Sequence, residues 1–193
     1  GKIDGSTHLH NYPVKNIDVS ITESGEISMF NDGNGIDVAV HPKHQIWIPE
    51  LMFARIRSST NYKTKQTNKS GEETIVGGKN GYGVKLVFAW SAYGSIETVD
   101  HKRGLKYTQT FESNLSVINP PKITKCKSST PYTKITFMPD YERFELHDGL
   151  SPDMVSLFRR RVYDISAVTD KTIKVKYNSE PVPVKTFAQY VDM

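Results

Sequence analysis

The 193-residue sequence predicts an α+β domain. Three observations predict it. Ile17, Val19 and Ile21 alternate with polar neighbours, and Thr133, Ile135 and Phe137 alternate with Tyr132, Lys134 and Thr136. That two-residue period belongs to strands buried on one face. Val155, Phe158, Val162 and Ile165 recur at three- and four-residue spacing, which predicts a helix with one buried stripe. Between these regions, the run Gly77–Lys85 holds four glycines in nine residues and separates a long polar segment from an apolar one.

Each element has a local reason. Residues 1–13 are polar and read as a mobile loop or ragged end. Residues 16–22 form a strand, Glu23-Ser24-Gly25-Glu26 a tight turn, and Ile27 to Phe30 its hairpin partner. Asn31-Asp32-Gly33-Asn34-Gly35 is a turn in which two glycines free the backbone. Pro49 opens a helix over roughly 50–57. Residues 58–78 carry almost nothing apolar, so a flexible loop is expected, and its place beside the glycines makes it a candidate lid. Residues 84–91 read as a buried helix. Segments 93–99, 104–111 and 132–138 read as strands, punctuated by Pro120-Pro121 and Pro139. Ser151 caps a helix with Pro152 in its first turn. From Lys171 an apolar hairpin turns at Asn178-Ser179-Glu180-Pro181. Two readings stand for residues 169–193: the start of a second domain after a first of 1–168, or a hairpin packed on the main body.

Composition narrows the function classes. Cys126 is the one cysteine, so no disulfide forms within the chain, and an intracellular, reducing home is the expectation. No apolar run approaches ~20 residues, so no membrane partner is expected. The net charge of +4 permits an anionic partner without establishing one. Arg159-Arg160-Arg161 reads as a solvated face rather than a contact to a phosphate backbone. His8, His10, His41 and His44 lack a matching acidic or cysteine set, so no metal ligand is nominated.

The residues that carry chemistry fall in three places. Gly81, Tyr82, Gly83 and Val84 belong to a stretch that exposes backbone N–H groups at the start of a helix, the arrangement that holds phosphates. Lys85 adds charge there, and Asn80 offers an amide to a phosphate or a metal-bound water. A nucleoside triphosphate is the expected ligand. The stretch is not a P-loop, because Leu86 follows Lys85 where that motif needs Ser or Thr. It is not a dinucleotide fingerprint either, and a purely structural turn remains the competing reading. The second place is Asn31-Asp32-Gly33-Asn34-Gly35, where a side chain at a strand end can accept from a base amino group; a common structural turn is the competing reading. The third is Ser59-Thr60-Asn61, which could reach a ribose or phosphate, with capping of the preceding helix as its competing reading.

The order of these segments resembles the ATPase domain of eukaryotic-type DNA topoisomerase II. The resemblance is carried by Asn31 to Gly35, Pro49-Glu50, Ser59-Thr60-Asn61-Tyr62 and, most specifically, Gly77 to Leu86. Tyr132 to Phe137, Pro139-Asp140, Arg160 to Asp164, Pro183-Val184-Lys185 and Tyr190-Val191-Asp192 extend it over most of the chain. Divergence at Phe88-Ala89-Trp90-Ser91 looks more like a viral enzyme than an animal or yeast one. The resemblance implies a GHKL fold: an eight-stranded mixed sheet with helices on one face, plus the first hairpin of a transducer domain. It implies ATP with Mg2+ as cofactors. Asn31 or Asp32 would serve the adenine end, Ser59, Thr60 and Asn61 the ribose and phosphates, and Asn80, Gly81, Tyr82, Gly83, Val84 and Lys85 the terminal phosphates.

The same resemblance implies parts that these residues lack. No glutamate here is followed four places later by asparagine, the family's water-activating base and magnesium ligand. The expectation is that the segment begins just after that helix and ends before a γ-phosphate lysine. No catalytic residue is therefore nominated, and the fragment alone is expected to be inactive. In the family, ATP binding dimerises two such domains and captures a duplex, so a second copy and double-stranded DNA are the implied partners. The implied location is the host cytoplasm for a viral enzyme and the nucleus for a cellular one. A clamp, chaperone or kinase-like module on the same fold that does not hydrolyse ATP is the alternative.

Overall fold

The structure, a computed structural model, describes residues 12–55, 81–127 and 130–193. Strands β1 (Asn16–Ile21) and β2 (Ile27–Asp32) form the expected hairpin, with Val19 opposite Met29 and Ile21 opposite Ile27. Its turn closes where Thr22 Oγ1 accepts from Glu26 N at 3.0 Å. Helix α1 (Ile48–Ala54) starts two residues before the expected position, with Pro49 in its first turn. Helix α2 (Gly83–Ala89) leads directly into β3 (Ser91–Asp100). Then come β4 (Leu105–Glu112), β5 (Val117–Ile118), β6 (Lys122–Lys125) and β7 (Tyr132–Pro139). Helix α3 (Pro152–Val168) follows, capped as expected by Ser151, whose Oγ accepts from Met154 N at 3.3 Å. The chain ends with β8 (Lys174–Tyr177), β9 (Glu180–Pro181) and α4 (Phe187–Val191). The expected polar lid at 58–78 lies outside the described residues.

The strands form one nine-stranded sheet in the order β5-β4-β3-β7-β2-β1-β8-β9, with β6 also paired to β4. The resemblance implied eight strands; the sheet has nine, two of them, β5 and β9, of only two residues each. The sheet is mixed because β8 runs parallel to β1 while the other pairs are antiparallel. A parallel neighbour needs a crossover, and α3 supplies it.

One half of the helix-facing surface is densely packed. Phe88 of α2, 1% exposed, has Phe111, Phe53 and Phe137 around it at ring separations of 5.2, 6.0 and 6.5 Å. Gly94 of β3 makes room for it: a Cβ there would stand 2.3 Å from the Phe88 ring. A second cluster joins Val19, Val162, Ala167, Val175, Val182 and Val184, so α3 packs on β1, β8 and the tail. Residues 169–193 thus add a hairpin to the same sheet and pack on α3 and β1. Ser166 Oγ ties α3 to Val184 O at 2.5 Å, and the Tyr190 hydroxyl donates to Asp164.

Two expectations about burial need correction. Helix α2 is not buried all round, since Leu86 is 56% exposed. On α3 only Val162 of the predicted stripe is fully buried; Phe158 and Ile165 are 38% and 37% exposed. The reason is a groove of about 650 Å³ between α2, α3 and the strands, walled by side chains such as Ile27, Met29, Leu86, Phe137, Phe158 and Ile165. The helical period reports which residues face inward; it does not report whether the inside is filled.

Candidate functional site

Strand β2 ends at Asp32, and the chain turns through Gly33 and Gly35, both with positive φ. Asp32 is almost fully buried. Its Oδ1 accepts from Lys15 N at 2.7 Å and Asn16 N at 2.8 Å, and its Oδ2 from Asn16 Nδ2 at 2.6 Å. Burial pushes its pKa up, but the hydrogen bonds from Asn16 and Lys15, with the Lys15 charge, outweigh that and hold the carboxyl below its ordinary value. Asp32 therefore organises the start of β1 as well as ending β2. Asn31, exposed beside it, donates from Nδ2 to Asp32 O at 2.8 Å.

The next residues are held from β3. Thr98 Oγ1 accepts from Ile36 N at 3.0 Å and donates to Tyr132 O at 2.9 Å. Asp100 Oδ2 accepts from Val38 N at 2.9 Å. Gly35 lies so close to β3 that a Cβ would come within 2.1 Å of Val99 O. Thr133 stands opposite Asn31 in the sheet register and 3.2 Å, hydroxyl to hydroxyl, from Thr98. Asn31, Thr98 and Thr133 thus form a polar patch at the end of an otherwise apolar sheet face. Sequence reasoning did not single out Thr98 or Thr133. The alternation in Tyr132–Phe137 put Thr133 on the face shared with Ile135 and Phe137, a polar residue in apolar company.

The second segment is partly visible. Ser59, Thr60, Asn61 and Asn80 lie outside the described residues. Gly81 has a φ of +69°, Tyr82 is 40% exposed, and α2 begins at Gly83 with no side-chain cap. The first N–H groups of a helix have no intrahelical acceptor, so this start presents donors. Val84 packs against the main core cluster. Lys85 turns inward: it is 3% exposed, its Nζ donates to Gly81 O at 2.9 Å, and burial lowers its pKa. The lysine stitches the turn to the helix at the position where the sequence suggested a charge facing phosphate.

The large groove has different chemistry. Its wall is overwhelmingly apolar, which suits hydrocarbon and not a triphosphate. Elsewhere, His41 Nδ1 lies 3.3 Å from both Lys43 N and His44 N, as the acceptor of a local turn. Arg160 lies over the Tyr190 ring at 4.4 Å, and Arg161 pairs with Asp164 at 2.8 Å on the exposed side of α3. Among the described residues no group of three His, Cys, Asp or Glu is placed to hold a metal ion, and no helix is long and apolar enough to cross a membrane.

The mixed sheet, the helices on one of its faces and the loop-and-helix-start pair define the class: this chain has the GHKL fold of the ATPase regions it matches. It is homologous to the ATPase region of eukaryotic DNA topoisomerase II. It is 41% identical over 181 residues to DNA topoisomerase 2 of Candida glabrata, covering 93% of this chain and 12% of that protein. Against DNA topoisomerase 2 of Acanthamoeba polyphaga mimivirus it is 42% identical over 171 residues, 89% of this chain and 13% of the relative. The crystal structure of the ATPase region of Saccharomyces cerevisiae topoisomerase II superposes with a TM-score of 0.85 at 40% identity, over 93% of this chain and 46% of that one. The ATPase and transducer domains of the Balamuthia mandrillaris enzyme give 0.83 at 36% identity, over 93% and 45%. The chain thus spans about an eighth of the curated relatives and less than half of the solved regions. No family model matches it.

Proposed function

We propose that this chain is the nucleotide-binding part of the ATP-driven gate of a type II DNA topoisomerase. The observation that carries the reading is the TM-score of 0.85 at 40% identity to an ATPase region, over 93% of this chain. Asn31 and Asp32 serve the adenine end. Gly81, Tyr82, Gly83, Val84 and Lys85, with Asn80, Ser59, Thr60 and Asn61, serve the ribose and phosphates. Asp32 acts there through the turn it braces and Lys85 through the turn it stitches. Donors at the start of α2 offset the negative charge that develops as the terminal phosphate is transferred to water. Magnesium, when bound, would supply further neutralising charge; among the described residues no group of three His, Cys, Asp or Glu is placed to hold it. Neither a hydrolytic base nor a γ-phosphate lysine is assigned among the described residues.

In the whole protein, ATP binding brings two copies together and captures double-stranded DNA for passage. That work places the protein inside the cell. A viral source is supported by Phe88–Ser91; the narrower reading, the topoisomerase of African swine fever virus, rests on that segment alone. We propose also that residues 169–193 open the transducer domain; their strands extend the main sheet from β1.

The test is titration of the intact ATPase region with a non-hydrolysable ATP analogue and magnesium, repeated with Lys85→Ala and with Asn31→Ala. Wild-type binding in the micromolar range with at least tenfold loss in each variant supports the reading. A wild-type region that binds no nucleotide sinks it, and binding without turnover favours the non-hydrolysing clamp.

A further inference from the structure

Among the described residues, no backbone–backbone hydrogen bond holds residues 33–38 of the loop that leaves β2. β3 runs two residues past Thr98, its last partner on β7, and residues 35–38 lie along it. Two alternate side chains of β3, Thr98 and Asp100, accept from two alternate N–H groups of the loop, Ile36 and Val38. Between them Val99 O faces Gly35. Side chains replace a strand as the pairing edge, so the position of the loop is set by two side-chain lengths.

Asp100 is the stronger of the two anchors. It is 2% exposed, and its other acceptor positions are taken by Lys102 N at 3.0 Å, Arg103 N at 3.2 Å and Arg103 Nη1 at 2.6 Å. Arg103 reaches on to Asp37 of the loop at 3.3 Å, and Lys102 lies 3.6 Å from the same carboxylate. The loop is therefore gripped at Val38 by a hydrogen bond and at Asp37 by charge, and Asp100 orients the groups that do both.

We propose that Asp100 is a positioning residue for nucleotide recognition: through Val38 and Arg103 it sets where Asn31 to Gly35 meet the base. It touches no ligand itself. The inference rests on the reading of Asn31 and Asp32 as the adenine side. A base seated against a short loop is sensitive to displacement of ~1 Å, whereas phosphates held by the start of α2 are not reached by this clamp. The signature of the role is therefore a loss confined to the base.

The test compares Asp100→Leu and Asp100→Asn in the intact protein, with ATP, GTP and inorganic tripolyphosphate as probes. Asparagine keeps an oxygen for Val38 N; leucine keeps none. Expected for Asp100→Leu is a roughly tenfold rise in KM for ATP, kcat within about twofold, a narrowed preference for ATP over GTP, and unchanged tripolyphosphate inhibition. Asp100→Asn is expected to restore most of the ATP preference. Should leucine prevent folding, Arg103→Ala loosens the same loop at Asp37 from the surface and is expected to raise KM for ATP two- to fourfold. An unchanged ATP-to-GTP ratio in the folded variants, or equal losses for ATP and tripolyphosphate, overturns the proposal. Wild-type protein that does not discriminate ATP from GTP overturns the underlying reading instead.

Discussion

The two halves of the helix-facing surface use similar apolar side chains to very different effect. Around Phe88 the rings of Phe53, Phe111 and Phe137 close on one another, and Tyr107 behind them is wholly buried. Around Phe158 the same kind of side chain looks into the groove and stays 38% exposed. Both halves have the amphipathic pattern that predicts a core. The lesson is that pattern specifies a face, while burial needs a second surface to meet it.

The largest way to break the dense half is Phe88→Ala. It removes a ring from a closed cluster and is expected to cost about 3–5 kcal/mol, read by urea unfolding. Gly94→Ala probes the same place from the sheet, since the added methyl meets the Phe88 ring; a variant of wild-type stability would show that the ring can move aside. Next in size is Asp32→Ala, which strands the Lys15 and Asn16 N–H groups and is expected to cost about 2–3 kcal/mol. The loss would appear first as faster hydrogen exchange at the start of β1.

Acid acts on the same bonds. Asp32 and Asp100 both titrate below their ordinary value in the folded protein; for each, burial opposes the shift and hydrogen bonds from Asn16 or Arg103 and nearby backbone overcome it. The unfolded chain then binds more protons, so their contribution is complete above about pH 4 and is lost as pH falls through the lower, folded values. Asp32→Asn should flatten that acid limb of the unfolding midpoint against pH; a limb as steep as the wild type's would remove Asp32 from it. Ser151→Ala is expected to cost about 1 kcal/mol through the lost cap of α3. Smallest is Phe158→Ala, at about 0.5 kcal/mol or less in this chain. If a longer form covers the groove, the same substitution there should cost about 2 kcal/mol or more, and comparing the two forms measures how much of that half is completed from outside.

Much of the architecture was legible locally. The β1–β2 hairpin, the strands at β3, β4 and β7 and the capped start of α3 each follow from a short-range rule: period two, period 3.6, or a serine before a proline. The presence and order of the two glycine-bearing segments nominated as the candidate site were legible. What those segments do with their polar atoms was not. Asp32 spends its oxygens on residues sixteen and seventeen positions earlier, and Asp100 spends one on a residue sixty-two positions away. Lys85, a charged residue in a phosphate-like motif, folds its ammonium back onto Gly81. Chain-distant partners leave no mark in a local pattern.

By itself, then, the order of residues determined where the main strands and helices lie, which of their faces are apolar, and the family that the chain resembles. Only the tertiary structure decided that β8 lies parallel to β1, that the tail joins the main sheet, that Phe158 and Ile165 face an open groove, and that β3 grips the loop after β2 by its side chains. The physical reason is range: propensity, capping and periodicity act over a turn or a hairpin, whereas burial and hydrogen-bond partnership depend on which distant surface arrives to complete them.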